Sequence, residues 1–109
     1  MWVAAVMSDL MLFSRIESAA TAAGAYLSRL DAPTDLPAPH ALDLVLVDWS
    51  ARRADWADAL AAWHGESDAR VVLFGQHTDR EAHAAARAAG LGPMWARSKL
   101  IADLASMLG

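Results

Sequence analysis

The chain has 109 residues, 56% of them hydrophobic, with a formal net charge of −4; this is the size of one small domain with enough apolar material for a core, which excludes a disordered tail. It contains no cysteine, which excludes disulfides, thiolate catalysis and cysteine-based zinc or iron–sulfur centres. The basic residues are scattered, with only Arg52 and Arg53 adjacent and Lys99 the single lysine, so no basic stripe for a nucleic-acid partner is visible.

In chain order, WVAAV (2–6) is the first apolar run, and a strand is predicted over 2–7. The opening MWVAAVMSDLMLF lacks a basic n-region and is interrupted by Asp9, which argues against a signal peptide. No stretch approaches the ~18 uninterrupted apolar residues of a membrane span. A soluble, cytoplasmic protein without a membrane partner is the expectation. Residues 9–23 place Leu10, Phe13, Ile16, Ala20 and Ala23 at helical spacing and end at Gly24, a C-terminal stop. AYLSRL (25–30) alternates, as an edge strand does. The next segment, DAPTDLPAPHA (31–41), holds Pro33, Pro37 and Pro39, which disfavour a full helix. One helical turn or none is expected there.

LDLVLV (42–47) then runs unbroken into Asp48, and VVLF (71–74) is unbroken as well. Continuous apolar runs are how strands buried on both faces read, so strands are predicted over 43–48 and 70–75. Between them, residues 53–64 carry Trp56, Leu60 and Trp63; the seven-residue spacing puts the two tryptophans on one helix face, as a core stripe. Residues 79–89 are alanine-rich, end at Gly90 and open with Thr78-Asp79-Arg80-Glu81, which fits a capping box with Thr78 as N-cap. MWA (94–96) marks a last strand over 93–97. A last helix over 99–108 carries Leu100, Ile101, Leu104 and Leu108, with Ser98 as N-cap.

Strands alternating with helices along a single domain, residues 1–109, predict the α/β class. The histidines His40, His64, His77 and His83 fall at no metal-ligand spacing, and His77 reads as a solvated loop residue. The dinucleotide, phosphate-loop, zinc-protease and hydrolase motifs are absent, so enzymatic activity is not expected.

Five strands and about five helices in this order, with an aspartate closing the third strand, resemble the receiver domain of two-component response regulators over essentially the whole chain. The resemblance implies a three-layer αβα sandwich around a doubly wound, five-stranded parallel sheet, order 2-1-3-4-5, flavodoxin-like. It also implies a phosphoryl group accepted by the third-strand aspartate, an acidic pair after strand 1 that holds Mg²⁺, and a Ser or Thr ending strand 4. An aromatic in strand 5 and a lysine–proline pair complete the pattern. Carried over residue by residue, the acceptor is Asp48. The acidic pair falls on Met7 and Ser8, with Asp9 next. The hydroxyl position falls on Gly75, with Gln76 beside it. The aromatic position falls on Met94, beside Trp95. The lysine–proline pair falls on Arg97 and Ser98, with Lys99 two residues late.

These departures matter because Mg²⁺ wants near-octahedral oxygen ligands and Met7 offers a thioether. The guanidinium of Arg97 can pair with a carboxylate, so an Asp48–Arg97 pair is expected, with Ser8, Asp9, Gly75 and Gln76 around it. The reading is a stand-alone, degenerate receiver-like module acting through protein contacts, with no metal and no cofactor. Trp49, Met94 and Trp95 are its candidate interface, and a homodimer is the simplest partner form. Two alternatives stay open: a working receiver phosphorylated on Asp48, and a small-molecule binding module at the carboxyl edge of the sheet.

Overall fold

A computed structural model describes residues 1–109. β1 (Trp2–Val6) leads to α1 (Leu10–Ala23) and β2 (Tyr26–Leu30); β3 (Leu44–Asp48), α2 (Trp56–Gly65), β4 (Arg70–Gly75), α3 (Arg80–Ala88), β5 (Trp95–Ala96) and α4 (Arg97–Leu108) follow. The five strands form one sheet, parallel throughout, in the order β2-β1-β3-β4-β5. Helices cover both faces, giving the α/β class expected from the strand–helix alternation and the flavodoxin-like sandwich that the resemblance implies.

The unbroken apolar runs have their cause in this layering. All five residues of β3 are buried, because each successive side chain meets a different helix layer. Val3, Ala5, Met7, Leu44, Leu46, Val72 and Phe74 pack with Ile16 of α1 and with Leu100, Leu104 and Leu108 of α4. Val6, Val45, Val47 and Leu73 pack on the other side with Trp56 and Leu60 of α2 and with Ala82 and Ala86 of α3. The short alanines let α3 lie close to the sheet.

Several boundaries shift from their predicted places. Asp79, not Thr78, caps α3: its Oδ1 accepts from the Ala82 backbone N–H at 3.0 Å. Either residue type caps well, but a carboxylate also gains from the helix dipole. Ser98 is not an N-cap either, because α4 starts at Arg97 directly after Ala96, which places Ser98 inside the first turn. β5 shrinks to two residues, Trp95–Ala96. Asp9 caps α1, its Oδ1 accepting from the Met11 and Leu12 N–H groups at 3.1 Å each, and Gly24 closes that helix at φ 72°.

The connection from β2 to β3 carries no α-helix. A single 3-10 turn, Pro33–Asp35, stands where a crossover helix would be, so four α-helices are present and not five. The loop is tied down instead: the Trp63 indole N–H donates to the Pro37 carbonyl at 2.8 Å, and the Ser67 hydroxyl to that of Pro39 at 2.6 Å. Trp63 is thus a half-buried clamp on the loop, while Trp56 enters the core. The face of β1 and β2 that a crossover helix would cover is left open at its lower end. There Trp2 and Tyr26 lie side by side in register, 56% and 61% exposed, with ring centroids 4.4 Å apart and planes inclined by 16°. No helix is long and apolar enough to cross a membrane.

Candidate functional site at the carboxyl ends of the strands

β3 ends at Asp48, and the chain turns at once into a 3-10 turn, Trp49–Ala51. The Asp48 side chain is 6% exposed, and its Oδ2 lies 3.5 Å from Nη2 of Arg97, the first residue of α4. The contact is a single long ion pair, not a two-pronged clasp. Asp48 Oδ1 and Arg97 Nε are both buried without a hydrogen-bond partner.

Burial pushes the Asp48 carboxyl above its ordinary value of 3.8, and the nearby Asp9 charge adds to the rise. The Arg97 guanidinium and the Ser50 and Ala51 backbone amides pull the other way without cancelling it. Desolvation therefore wins over pairing at this site. Because the folded-state pKa is raised, the contribution of Asp48 to stability is complete below pH 3.8 and is lost as pH rises through the folded value. Asp48→Asn removes the charge that burial disfavours. It should stabilise the fold at pH 7, with the gain closing toward pH 4. Thermal midpoints of both proteins between pH 4 and 7 check this. A wild type that gains on the variant as pH rises would contradict it.

The surrounding positions do not assemble a Mg²⁺ site. Met7 is buried in the core between the sheet, α1 and α4; its polar contacts are made by its backbone, the N–H donating to the Leu30 carbonyl and the carbonyl accepting from Arg29 Nη1, each at 3.1 Å. Ser8 is exposed. Asp9 is near enough to influence Asp48, yet its Oδ1 is committed to the α1 cap. No three His, Cys, Asp or Glu side chains converge anywhere. A hard cation that needs several oxygen ligands would meet one buried carboxylate already facing a guanidinium.

At the end of β4 the sequence hides a substitution. A Cβ placed on Gly75 would run into Ser50 Oγ and come within 2.9 Å of Met94 Sδ. Ser50 Oγ accepts from the Gln76 backbone N–H at 2.9 Å. A hydroxyl at the end of β4 is therefore supplied by the loop after β3 and fills the space that a side chain at position 75 would take. Gln76 contributes its backbone, while its side chain lies outside. Ser50 was not among the residues singled out from the sequence. Its signal was a small hydroxyl two residues after the aspartate, facing a glycine in the neighbouring strand.

The three residues expected at an interface part company. Trp49 is fully buried: its indole N–H donates to the Ala82 carbonyl at 3.0 Å, and the Arg52 guanidinium stands 5.8 Å from the ring. The turn after β3 sends the ring beneath α3, so it cannot meet a partner. Met94 is buried too, wedged toward Gly75 and Ser50. Trp95 alone reaches the surface, half-buried between Arg70, at 5.6 Å, and Lys99, at 4.4 Å. Lys99 also pairs with Asp103 at 2.7 Å, so it is engaged along α4 and not with Asp48. His77 is an exposed loop residue whose carbonyl accepts from His83 Nε2 at 2.9 Å.

No protein-family model and no curated protein matches the chain. Among solved structures, it is similar to a response regulator receiver protein from Burkholderia phymatum, at 15% identity and a TM-score of 0.70, the match covering 99% of this chain and 94% of the other. It is similar to a response regulator protein from Burkholderia multivorans at 22% identity and a TM-score of 0.72, again over 99% and 94%. With the strand order β2-β1-β3-β4-β5, these likenesses establish the fold: residues 1–109 adopt a receiver-like fold.

Proposed function

We propose that this receiver-like domain is a signalling module that acts through contacts with another protein, and that its Asp48 site is a fixed ion pair and not a Mg²⁺-dependent phosphoryl switch. The observation that carries the reading is the pairing of the buried Asp48 carboxylate with Arg97. Phosphoryl transfer depends on positioning the acceptor and neutralising charge on the phosphoryl oxygens. Here the acceptor oxygen faces a guanidinium on a rigid helix start, Met7 occupies an acid position with a buried thioether, and Asp9 is engaged as a cap. In this reading the partner-facing surface is the β5–α4 side, where Trp95 stands between two cations.

The test is incubation with acetyl phosphate and Mg²⁺, followed by intact-mass measurement. The expected result is an unchanged mass. A stable gain of one phosphate that disappears in Asp48→Asn would replace this reading with that of a working receiver.

A further inference from the structure

We propose that the groove between the first two turns of α1 and those of α4 binds a small amphipathic anion, a carboxylate carried on an apolar body. The groove encloses about 960 Å³, within the range of small-molecule sites. Its apolar lining comes from Leu10, Met11, Leu12, Ile101 and Ala102. Leu10 is 66% and Met11 85% exposed, although the rest of the apolar stripe of α1 turns into the core. Two large apolar side chains left in water at the mouth of a groove are a surface waiting for apolar contact.

The charge of the groove fixes the other half of the ligand. Arg15 lines it and belongs to none of the ion pairs of the molecule. Arg97 lines it as well, with Nη2 toward Asp48 and Nε without a partner. The one acid in the lining is Asp9, whose Oδ1 is held by the Met11 and Leu12 amides. A chain of net charge −4 thus gathers one guanidinium outside every ion pair, that of Arg15, and one shared with Asp48, that of Arg97, beside exposed apolar side chains. Guanidinium suits a carboxylate in particular, because its fork matches the two oxygens. A bare inorganic anion would leave the apolar lining uncovered, and a neutral apolar molecule would leave the arginines unanswered. The proposal does not rest on how Asp48 behaves with phosphate.

The probe is sodium decanoate below its micellar concentration, titrated into the ¹⁵N-labelled protein, with decanol and acetate as controls. The expected result is saturable shifts confined to amides 9–15 and 97–102, with decanol and acetate each binding more weakly than decanoate. Arg15→Gln should weaken decanoate about tenfold, the scale of one charge-assisted hydrogen bond. The Leu10→Ser, Met11→Ser double variant should weaken it as well. All three residues are exposed, so the variants should fold, which unshifted amides in the strands confirm. Equal binding of decanoate and decanol, indifference to Arg15→Gln, or shifts scattered over the surface would overturn the proposal. So would a groove that ignores decanoate and takes an acidic amphipathic peptide instead.

Discussion

Trp49→Ala should cost about 3–5 kcal/mol, the range for deleting a buried aromatic side chain. A domain of this size has only about 5–15 kcal/mol of stability in hand, so the loss is a large fraction of the total and should lower the unfolding midpoint sharply. Trp49 packs with Val47, Leu73, Ala82 and Ala86, and its indole N–H reaches the Ala82 carbonyl across a span of 33 residues. It therefore joins the turn after β3 to α3, two segments that share no backbone ladder. Truncation leaves a cavity that the short alanines of α3 cannot fill. Trp49→Phe keeps most of the packing and loses the hydrogen bond, and should cost less than half as much. Urea unfolding followed by circular dichroism gives both values. A loss below about 1 kcal/mol for the alanine variant, the level of ordinary surface substitutions, would show that the ring is not in the core.

Gly75→Ser should be the most damaging conservative change near Asp48, at about 1–3 kcal/mol, the usual cost of overpacking. The new Cβ collides with Ser50 Oγ, and Met94 Sδ stands 2.9 Å away on another side. Neither neighbour retreats easily: Ser50 is held by the Gln76 amide, and Met94 is buried. Ser50→Gly vacates the contested space and lets the hydroxyl at position 75 take over near the Gln76 amide. The double variant should therefore be more stable than Gly75→Ser alone, with a coupling of about 1 kcal/mol or more. Additive losses in a double-mutant cycle would mean that the two positions do not compete for one site.

This pairing shows where reading along the chain stops. The unbroken runs LVLV and VVLF gave away β3 and β4 because burial on both faces leaves no polar period. The proline-spaced 31–41 segment gave away the missing crossover helix, since proline acts locally through its own ring. Asp48 and Arg97 could be matched because the receiver resemblance puts them at its acceptor and lysine positions, at the ends of the third and fifth predicted strands, and the structure brings them to 3.5 Å. Ser50 and Gly75 escaped for the opposite reason. Their relation is an exchange of volume between neighbouring strands, and neither residue is unusual by itself. Trp49 was expected outside because it follows a strand end. Its burial depends on the direction of a three-residue turn, which no periodicity encodes. The α3 cap went to Asp79 instead of Thr78 because two good capping residues stand side by side and only the backbone path chooses between them.

The open side of the sheet bears on how the sheet edges resist the addition of a further strand. An edge strand presents unpaired backbone groups onto which another chain can zip, and proteins blunt such edges with short strands and charge. Both edges here are blunt. β5 has two residues, too few to template a ladder. β2 has five, and near its end Arg29 is anchored to the Met7 carbonyl and to Asp31, the latter at 2.9 Å. An incoming strand would have to lie along a fixed ion pair and then follow a segment punctuated by Pro33, Pro37 and Pro39, which cannot donate to a ladder. The exposed Trp2 and Tyr26 rings stack on each other at the other end of the same strand pair, which reduces the apolar area they offer to a neighbour. The loop that leaves this face bare also stops the edge beside it from propagating.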